Sequence, residues 1–372
     1  MAYKLIKYCL HSSLVLSFML LLQVCNAQYD FSKVDGWLKE NLNDLGGRAV
    51  LMIYKDGKVI YISAVNDLSS KQKMGGKYIA RKTGKDPDVL LADYDTASRI
   101  SIASCSKWLS AALIMTFVDE GKLKLTDTIG KFLPVMSANG KGKITIADCL
   151  SHQTGIRSGN LKESREFSTN ASSMDEAMGF IATLPMETDP GTSFHYSSIG
   201  LQIAAAVIEK ISNKNFETLF KERIAIPCNM DHTDFGNKQV PLPAGGALSS
   251  APDYLNFLKM ILNNGEFNGK KVLSIEAIAS MQQNYAAGKK IIYSPAEAGN
   301  WGYGFGEWVM DDAIAGKRSQ ALTSPGLFGS FPWVDYQHNY AAVLFTFNIK
   351  SKGRHERYTT LKQLIDVAIT FN

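Results

Sequence analysis

One long apolar segment constrains the fold of this chain more than any other feature. From Ile102 to Val118 the residues are almost all apolar or small, and Lys107 carries the single charge among them. A helix that is hydrophobic all round is buried inside a protein, yet lysine is almost never fully buried without a partner. The segment therefore predicts a buried helix with a lysine whose burial needs an explanation.

Length and composition exclude several classes of protein. The chain has 372 residues, 45% of them hydrophobic and 20% charged, so it is neither disordered nor a small disulfide scaffold. A chain of this length buries roughly 75% of the surface that its unfolded form exposes, which provides a large core. Its 40 basic and 35 acidic residues give a net charge of +5. This near balance argues against nucleic acid as a partner.

The first 27 residues have the pattern of a secretory signal peptide. Lys4 and Lys7 precede an apolar run at 14–24, and small and polar residues up to Ala27 follow it. The run is well short of the ~20 residues that span a bilayer, which disfavours a membrane anchor. We expect cleavage near Ala27, a secreted or periplasmic protein and no stable membrane span afterwards. Lipid attachment at Cys25 stays open.

Strand-like runs lie near both ends of the chain. Ala49–Lys55 and Val59–Val65 are rich in β-forming residues and flank Asp56-Gly57, a strong hairpin signal. Tyr340–Asn348 is the clearest strand near the C-terminus. The other predicted elements are helices from Phe31 to Leu45, over Leu201–Ile211, over Tyr254–Leu262 and over Thr359–Ile369, and an exposed polar loop from Leu68 to Asp88.

This order of elements predicts an α/β protein with α+β lobes. An antiparallel sheet is built from N- and C-terminal segments and flanked by helices, and a mainly helical lobe is inserted between them. The predicted sheet lobe covers about 28–95 and 236–372, and the helical lobe covers about 96–235. Length alone suggests about two domains, but a sheet that needs both ends of the chain favours one unit.

The sequence carries no signal for a metal or an organic cofactor. It lacks C-x-x-C, H-E-x-x-H, G-x-x-x-x-G-K-[ST] and a Rossmann glycine fingerprint followed by an acid. Without residues 1–27, three cysteines remain, Cys105, Cys149 and Cys228, so at most one disulfide could form. We expect no cofactor, no metal and no disulfide framework, and we interpret Cys105 as a small buried hydrophobe.

The pattern S-x-x-K offers a candidate nucleophile and base. Residues three apart on a helix lie on one face, so the lysine can take the serine proton if its pKa is low enough. The pattern occurs at Ser70–Lys73, in the polar segment interpreted as a loop, and at Ser104–Lys107. Ser104 begins the buried helix. It is either a nucleophile or a helix cap beside a lysine that reaches solvent.

Five segments resemble, in order, those of the β-lactamase-related serine hydrolases. That family includes class C β-lactamases, low-molecular-weight penicillin-binding proteins and family VIII-type esterases. The segments are 95–134, which contains Ser104, 144–156 (resembling LLSHTSG), 190–198 (PG-x-x-F-x-Y-S-N), 244–254 (aGGl-x-St-x-x-D) and 302–306 (YGlGw). Their collinearity across 28–372 is far more specific than any one motif. The resemblance implies a β-lactamase/transpeptidase-like fold and a serine hydrolase.

The resemblance also implies roles for individual residues. Ser104 is the acylated nucleophile, Lys107 its basic partner, and Tyr196 a proton relay or deacylating base. A tyrosine with an ordinary pKa near 10 is a poor base at neutral pH, and Lys107 is the cation in view that could lower it. His152 and His195 fall in segments that are structural in the family, so we interpret them as loop histidines satisfied by hydrogen bonds.

Two motifs of the family are altered here. Ser198 stands where Y-x-N has its asparagine, which keeps a hydroxyl but loses two amide donors. The position collinear with K-T-G or H-x-G is Ser324-Pro325-Gly326, whereas a literal K-T-G at 82–84 precedes the nucleophile, in the wrong order. The predicted substrate-binding residues are Ser198, Ser324, Gly326 and Leu327. Gly326 allows close approach to substrate, and Leu327 N–H joins Ser104 N–H in an oxyanion hole.

The leading hypothesis is an exported serine hydrolase that acts through an acyl-enzyme on an ester or amide. Ser324 supplies no charge where relatives have the cation that holds a substrate carboxylate, so a neutral small molecule or peptide is favoured as substrate. One alternative is a D-alanyl-D-alanine-type peptidase or β-lactamase. Another is a binding protein that retains the fold without turnover. The natural substrate and the oligomeric state stay open.

Overall fold

The computed structural model describes residues 29–84, 86–159, 171–311, 319–350 and 352–370. The predicted signal peptide at 1–27, with Cys25, lies outside these ranges. Among the helices of the described ranges, none has both the length and the apolar character needed to cross a membrane.

Short and long strands alternate with helices along the described chain. The strands are β1 (Arg48–Lys55), β2 (Lys58–Asn66), β3 (Ile100–Ser101), β4 (Ser193–His195), β5 (Leu248–Ser249), β6 (Glu266–Phe267), β7 (Lys270–Lys271), β8 (Lys290–Tyr293), β9 (Gly302–Tyr303), β10 (Trp308–Val309), β11 (Ala321–Thr323), β12 (Phe331–Asp335) and β13 (Tyr340–Thr346). The α-helices are α1 (Ser32–Asn41), α2 (Ser70–Thr83), α3 (Pro87–Leu91), α4 (Ser106–Asp119), α5 (Pro134–Ala138), α6 (Ile146–Leu150), α7 (Met174–Thr183), α8 (Ile199–Ser212), α9 (Phe216–Phe220), α10 (Ala251–Leu262), α11 (Ile275–Met281) and α12 (Arg354–Thr370). Single turns of 3₁₀ helix cover Ala103–Cys105, Ile129–Lys131 and Ala296–Ala298, and a π-helical turn covers Lys221–Ala225.

The main sheet joins the two ends of the chain, as predicted. Its strand order is β2-β1-β13-β12-β11-β10-β9, and every pairing in it is antiparallel. The predicted hairpin turn at Asp56-Gly57 connects β1 to β2, with both residues at positive φ. Leu51 of β1 lies opposite Leu344 of β13, so strands from the two chain ends are direct neighbours. The predicted fold class is confirmed.

The central strand β13 is buried on both faces because helices cover both. Side chains of a strand alternate between faces. Ala342 and Leu344 face a core shared with α1 and α12. Val343 and Phe345 face the larger core, which includes α4, α8 and α10. The predicted lobe boundaries at 95/96 and 235/236 stay predictions.

The exposed loop predicted from Leu68 to Asp88 is wrong, since this segment forms α2 and α3. Ser69 accepts the Gln72 N–H and Gln72 bonds back to Ser69, a capping box that begins α2. Gly84 ends the helix in the left-handed conformation. Ser70 is therefore helical, but it lies on an exposed helix, and the literal K-T-G at 82–84 is the end of that helix rather than a strand edge.

Candidate active site

Ser104 and Lys107 meet at the start of the buried helix. Ser104 lies in the 3₁₀ turn that precedes α4, and its Oγ is 3.2 Å from Lys107 Nζ. Lys107 is only 3% exposed, and its Nζ donates to the Ala244 carbonyl at 2.7 Å. Burial disfavours the charged form and lowers the pKa of Lys107 to about 7. The lysine is thus a base that is partly neutral at physiological pH.

The backbone around Ser104 is held in a strained shape from several sides. Ala103 has a φ of +45°, which is uncommon for a residue with a side chain. The Tyr254 hydroxyl donates to the Cys105 carbonyl at 2.8 Å, and Ser106 Oγ accepts the Ala247 N–H at 3.1 Å. These bonds fix the turn that carries Ser104 to the segment from 244 to 254. Strain of this kind persists only where its surroundings over-determine it.

Tyr196 completes a cluster with the serine and the lysine. Its side chain hydrogen-bonds with Ser104, and Lys107 Nζ lies 4.7 Å from the centre of its ring. The sequence offered Lys107 as a cation that could lower the pKa of Tyr196, and in the structure it does not do so. Burial raises this pKa well above its ordinary value because the phenolate would be desolvated, and Lys107 is itself partly neutral. Tyr196 is therefore a neutral phenol that can donate and accept a proton at one oxygen.

His152 packs against the Tyr196 ring and holds the backbone next to it. The two ring centres are 4.6 Å apart, and His152 Nδ1 accepts the N–H of Ser197, the next residue along the chain, at 3.4 Å. Its Nε2 must then carry the proton, which it donates to the Tyr303 hydroxyl at 2.9 Å. Burial holds the pKa of His152 well below its usual range, so the ring is neutral. The interpretation of this histidine as a loop residue satisfied by hydrogen bonds is confirmed.

The second histidine has a hydrogen-bond partner as well. His195 Nδ1 bonds with the Glu187 carboxylate. His195 ends β4 rather than lying in a loop, because β4 pairs with β8 beside the site. Cys105 is buried among apolar side chains, and desolvation raises the pKa of its thiol, in line with its interpretation as a small hydrophobe.

The turn after β11 lies against the turn that carries Ser104. A Cβ added to Gly326 would lie 2.4 Å from the Ile102 carbonyl oxygen, so only glycine allows this approach. Ser324 Oγ donates to the carbonyls of Gly306 (3.0 Å) and Ser104 (3.3 Å), so its hydroxyl bonds to backbone. Within the described residues, the N–H groups of Ser104 and Leu327 donate to no protein acceptor.

Ser198 is the predicted site residue that the structure joins least to the others. It lies at the start of α8, where its carbonyl accepts the Gln202 N–H at 3.2 Å. In the described structure its hydroxyl has no hydrogen bond to Ser104, Lys107 or Tyr196.

A buried arginine near the altered third motif was not predicted. Arg354 is 3% exposed; its Nη1 donates to the Leu327 carbonyl at 2.9 Å and to Glu297 Oε1 at 3.1 Å. Its Nη2 donates to the carbonyls of Asn348 and Lys350, both at 2.8 Å. The charge of the guanidinium is thus balanced by Glu297, and its hydrogen bond to the Leu327 carbonyl holds the turn in place. No sequence motif marks it, since its partners are mostly backbone atoms.

Two features together define the β-lactamase/transpeptidase-like fold. The antiparallel sheet has helices on both faces, and a serine, a lysine and a tyrosine lie where its last strands meet the buried helix α4. The chain belongs to the Beta-lactamase family, whose sequence model matches residues 41–365. The family's hydrolases include penicillin-binding proteins, carboxypeptidases, amidases and esterases.

Individual relatives are distant. The Mycobacterium tuberculosis protein Rv1367c is 28% identical over 294 residues, which cover 64% of this chain and 72% of the relative. A candidate β-lactamase from Bacteroides dorei has the same fold, with a TM-score of 0.75 and 24% identity over 92% of this chain and 99% of that one. EstCE1, a hydrolase with promiscuous acyltransferase activity, has a TM-score of 0.67 and 19% identity. The match covers 90% of this chain and 100% of EstCE1.

Replacing His152 by asparagine tests its support of Tyr196. Asparagine tolerates the positive φ of 59° at this position, so the backbone should keep its shape. We expect kcat for an ester to fall by about tenfold or more, because small misplacements of a proton-transfer group are costly. The pH of half-maximal activity should not move, since Lys107 is untouched. His195→Asn is the control, and an equal loss in both variants would contradict a specific role for His152.

Proposed function

We propose that this protein is an exported serine hydrolase that acts through an acyl-enzyme on ester or amide substrates. One observation carries the proposal: a serine hydroxyl lies 3.2 Å from the amine of a buried lysine whose pKa is lowered to about 7. A neutral amine within hydrogen-bond reach of a hydroxyl is the arrangement that activates a serine. Membership of a hydrolase family supports the same chemistry.

Acylation begins with proton transfer from the nucleophile. Neutral Lys107 takes the Ser104 proton at Nζ while Oγ bonds to the substrate carbonyl carbon. The carbonyl oxygen becomes an anion, held by the N–H groups of Ser104 and Leu327. Two such donors, fixed in advance, stabilise the anion at no cost of reorganisation during the reaction.

Tyr196 passes the proton onward as a neutral phenol. When the bond to the leaving group breaks, Tyr196 gives its hydroxyl proton to that group and takes the proton that Lys107 holds. The acyl ester on Ser104 remains. A water then adds to this ester, its proton moves to Lys107, and the acid leaves as Ser104 regains a proton. Lys107 and Tyr196 end each cycle in their starting states.

The charges around the site favour a neutral substrate. Ser324 supplies no cation, and its hydroxyl bonds to two backbone carbonyls. Arg354 is nearby, but it is buried and paired with Glu297, so it is poorly suited to bind a substrate carboxylate. Esters and amides without a carboxylate beside the reacting carbonyl are the substrates that this arrangement suits best.

A fluorophosphonate probe followed by a substrate panel tests the function. The probe should label Ser104, and Ser104→Ala should abolish labelling and hydrolysis of p-nitrophenyl esters. Labelling that survives this change would contradict the proposed nucleophile. Faster turnover of nitrocefin or a D-alanyl-D-alanine peptide than of esters would favour a β-lactamase or a peptidase. Stoichiometric acylation without release would favour a binding protein. N-terminal mapping of exported protein should find Gln28 first, and Met1 would contradict export.

A further inference from the structure

The helix α2 carries an exposed face that the hydrolase mechanism does not use. Five of its fourteen residues are lysine or arginine, and none is acidic. Helical spacing puts four of these cations on one side, around two large apolar side chains. This basic–apolar face consists of Lys71, Met74, Lys77, Tyr78, Arg81 and Lys82, all of them exposed.

The opposite side of α2 fixes its orientation on the protein. Ala80 is fully buried, and Gly76 packs so closely on Leu91 of α3 that a Cβ there would lie 2.4 Å from it. The capping box and Gly84 define both ends of the helix. The basic–apolar face therefore lies on a helix that is packed against the protein and capped at both ends, with its orientation toward solvent fixed.

The apolar side chains at the centre of this face are unusually exposed. Met74 is 71% exposed and Tyr78 is 61% exposed, and the two lie one helical turn apart. Lys82 Nζ lies 5.4 Å from the centre of the Tyr78 ring. On the adjacent helix α3, Val89 is 75% exposed. Cations thus surround apolar groups that project into solvent.

We propose that the basic–apolar face docks on an anionic phospholipid surface. Lysine and arginine side chains near such a surface are attracted by its negative potential, and apolar side chains among them enter the headgroup region. A soluble polyanion would interact favourably with the cations alone and would give Met74 and Tyr78 no apolar environment. With few apolar groups, the attachment is reversible and weakens as salt screens the charges.

Vesicle co-sedimentation with charge-reversal variants tests the proposal. The protein should bind vesicles of equal parts phosphatidylcholine and phosphatidylglycerol, and bind poorly to phosphatidylcholine alone. Lys71→Glu with Lys77→Glu should weaken binding by at least about tenfold. The matched control is Lys270→Glu with Lys271→Glu, two exposed lysines of β7, which should leave binding nearly unchanged. All variants share residues 1–27, so any binding due to that segment, including attraction of Lys4 and Lys7 to anionic lipid, is common to the variants that are compared.

A second variant separates lipid from other anionic partners. Met74→Ser with Tyr78→Ser should lose binding to anionic vesicles several-fold while it keeps binding to soluble polyphosphate. Ester hydrolysis in solution and the circular dichroism spectrum should match those of the parent in every variant. Equal losses from both charge-reversal pairs would overturn the proposal, because net charge alone would explain them. Unchanged vesicle binding in the serine variant would also overturn it, in favour of a soluble polyanion.

Discussion

Replacing Lys107 by methionine should abolish turnover and at the same time stabilise the fold. The methionine cannot take the Ser104 proton, so kcat for an ester should fall by roughly 10³-fold or more. A rate loss of this size is typical when an enzyme loses a group that acts as general base and proton relay. Methionine fills a similar space in the apolar surroundings of α4. Loss of function with a stable fold would separate catalysis from structure.

The stability gain follows from the lowered pKa of Lys107. An unfolded lysine has a pKa near 10.4, whereas burial lowers that of Lys107 to about 7. Between these pH values the unfolded chain binds more protons, so the stability of the parent rises with pH in this window. The cost of burying the amine is complete below pH 7, where it corresponds to about 5 kcal/mol. In Lys107→Met the Ala244 carbonyl loses its hydrogen-bond donor, which offsets about 1–3 kcal/mol of this stability gain.

Thermal unfolding and steady-state kinetics at several pH values check this expectation. The melting temperature of Lys107→Met should exceed that of the parent most at pH 7 or below, and the difference should shrink toward pH 10. The parent's kcat/KM should be half-maximal near pH 7 and level off above it, as Lys107 loses its proton. The control is Lys141→Met. Lys141 is also buried and donates to a carbonyl, that of Ala182 at 2.7 Å, but lies outside the site. Near-parent rates for Lys107→Met would remove the lysine from the mechanism.

Replacing Gly326 by alanine should cost kcat about 10²–10³-fold. The new Cβ would lie 2.4 Å from the Ile102 carbonyl oxygen, a backbone atom that cannot rotate away. The turn must therefore shift, and the Leu327 N–H moves with it. Losing one donor of an oxyanion hole has an effect of this size in other hydrolases.

A glycine with open surroundings provides the control for this substitution. Gly179 lies in α7, and a Cβ added there meets no atom within 4 Å. Gly179→Ala should keep parent activity and gain slightly in stability, as alanine favours helix. The rate of fluorophosphonate labelling measures the transition-state effect on Ser104 directly. Parent-like labelling and turnover in Gly326→Ala would mean that this turn does not hold the oxyanion.

Local patterns were sufficient to predict much of the fold. The apolar run after Ile102 predicts α4, and the turn signal at Asp56-Gly57 predicts the β1–β2 hairpin, because each depends on residues close in sequence. The helix α2 was missed because it is mostly solvent-exposed and lacks the apolar stripe of a core helix. Its capping box, Ser69 with Gln72, was the signal that could have found it.

The side chains of the candidate site were easier to predict than its backbone contacts. Ser104, Lys107 and Tyr196 come together as the sequence comparison implied. The Ala244 carbonyl that accepts from Lys107 was not predicted, because it is a backbone atom and the alanine side chain gives no sign of it. The Leu327 N–H was named only through the family resemblance, for the same reason. The raised pKa of Tyr196 could not be read from its neighbours in sequence, because it depends on how completely the folded protein excludes water from the phenol.

The pairing of β1 with β13 also sets the order in which the protein can become active during synthesis. Leu51 meets Leu344 across the sheet, so β1 gains this neighbour only after nearly the whole chain has been made. The ribosome releases Ser104 and Lys107 much earlier than the turn at Gly326 and Leu327. A nascent or truncated chain therefore has Ser104 and its own N–H without the Leu327 N–H, and under the proposed mechanism we expect it to remain inactive until the last strands join the first.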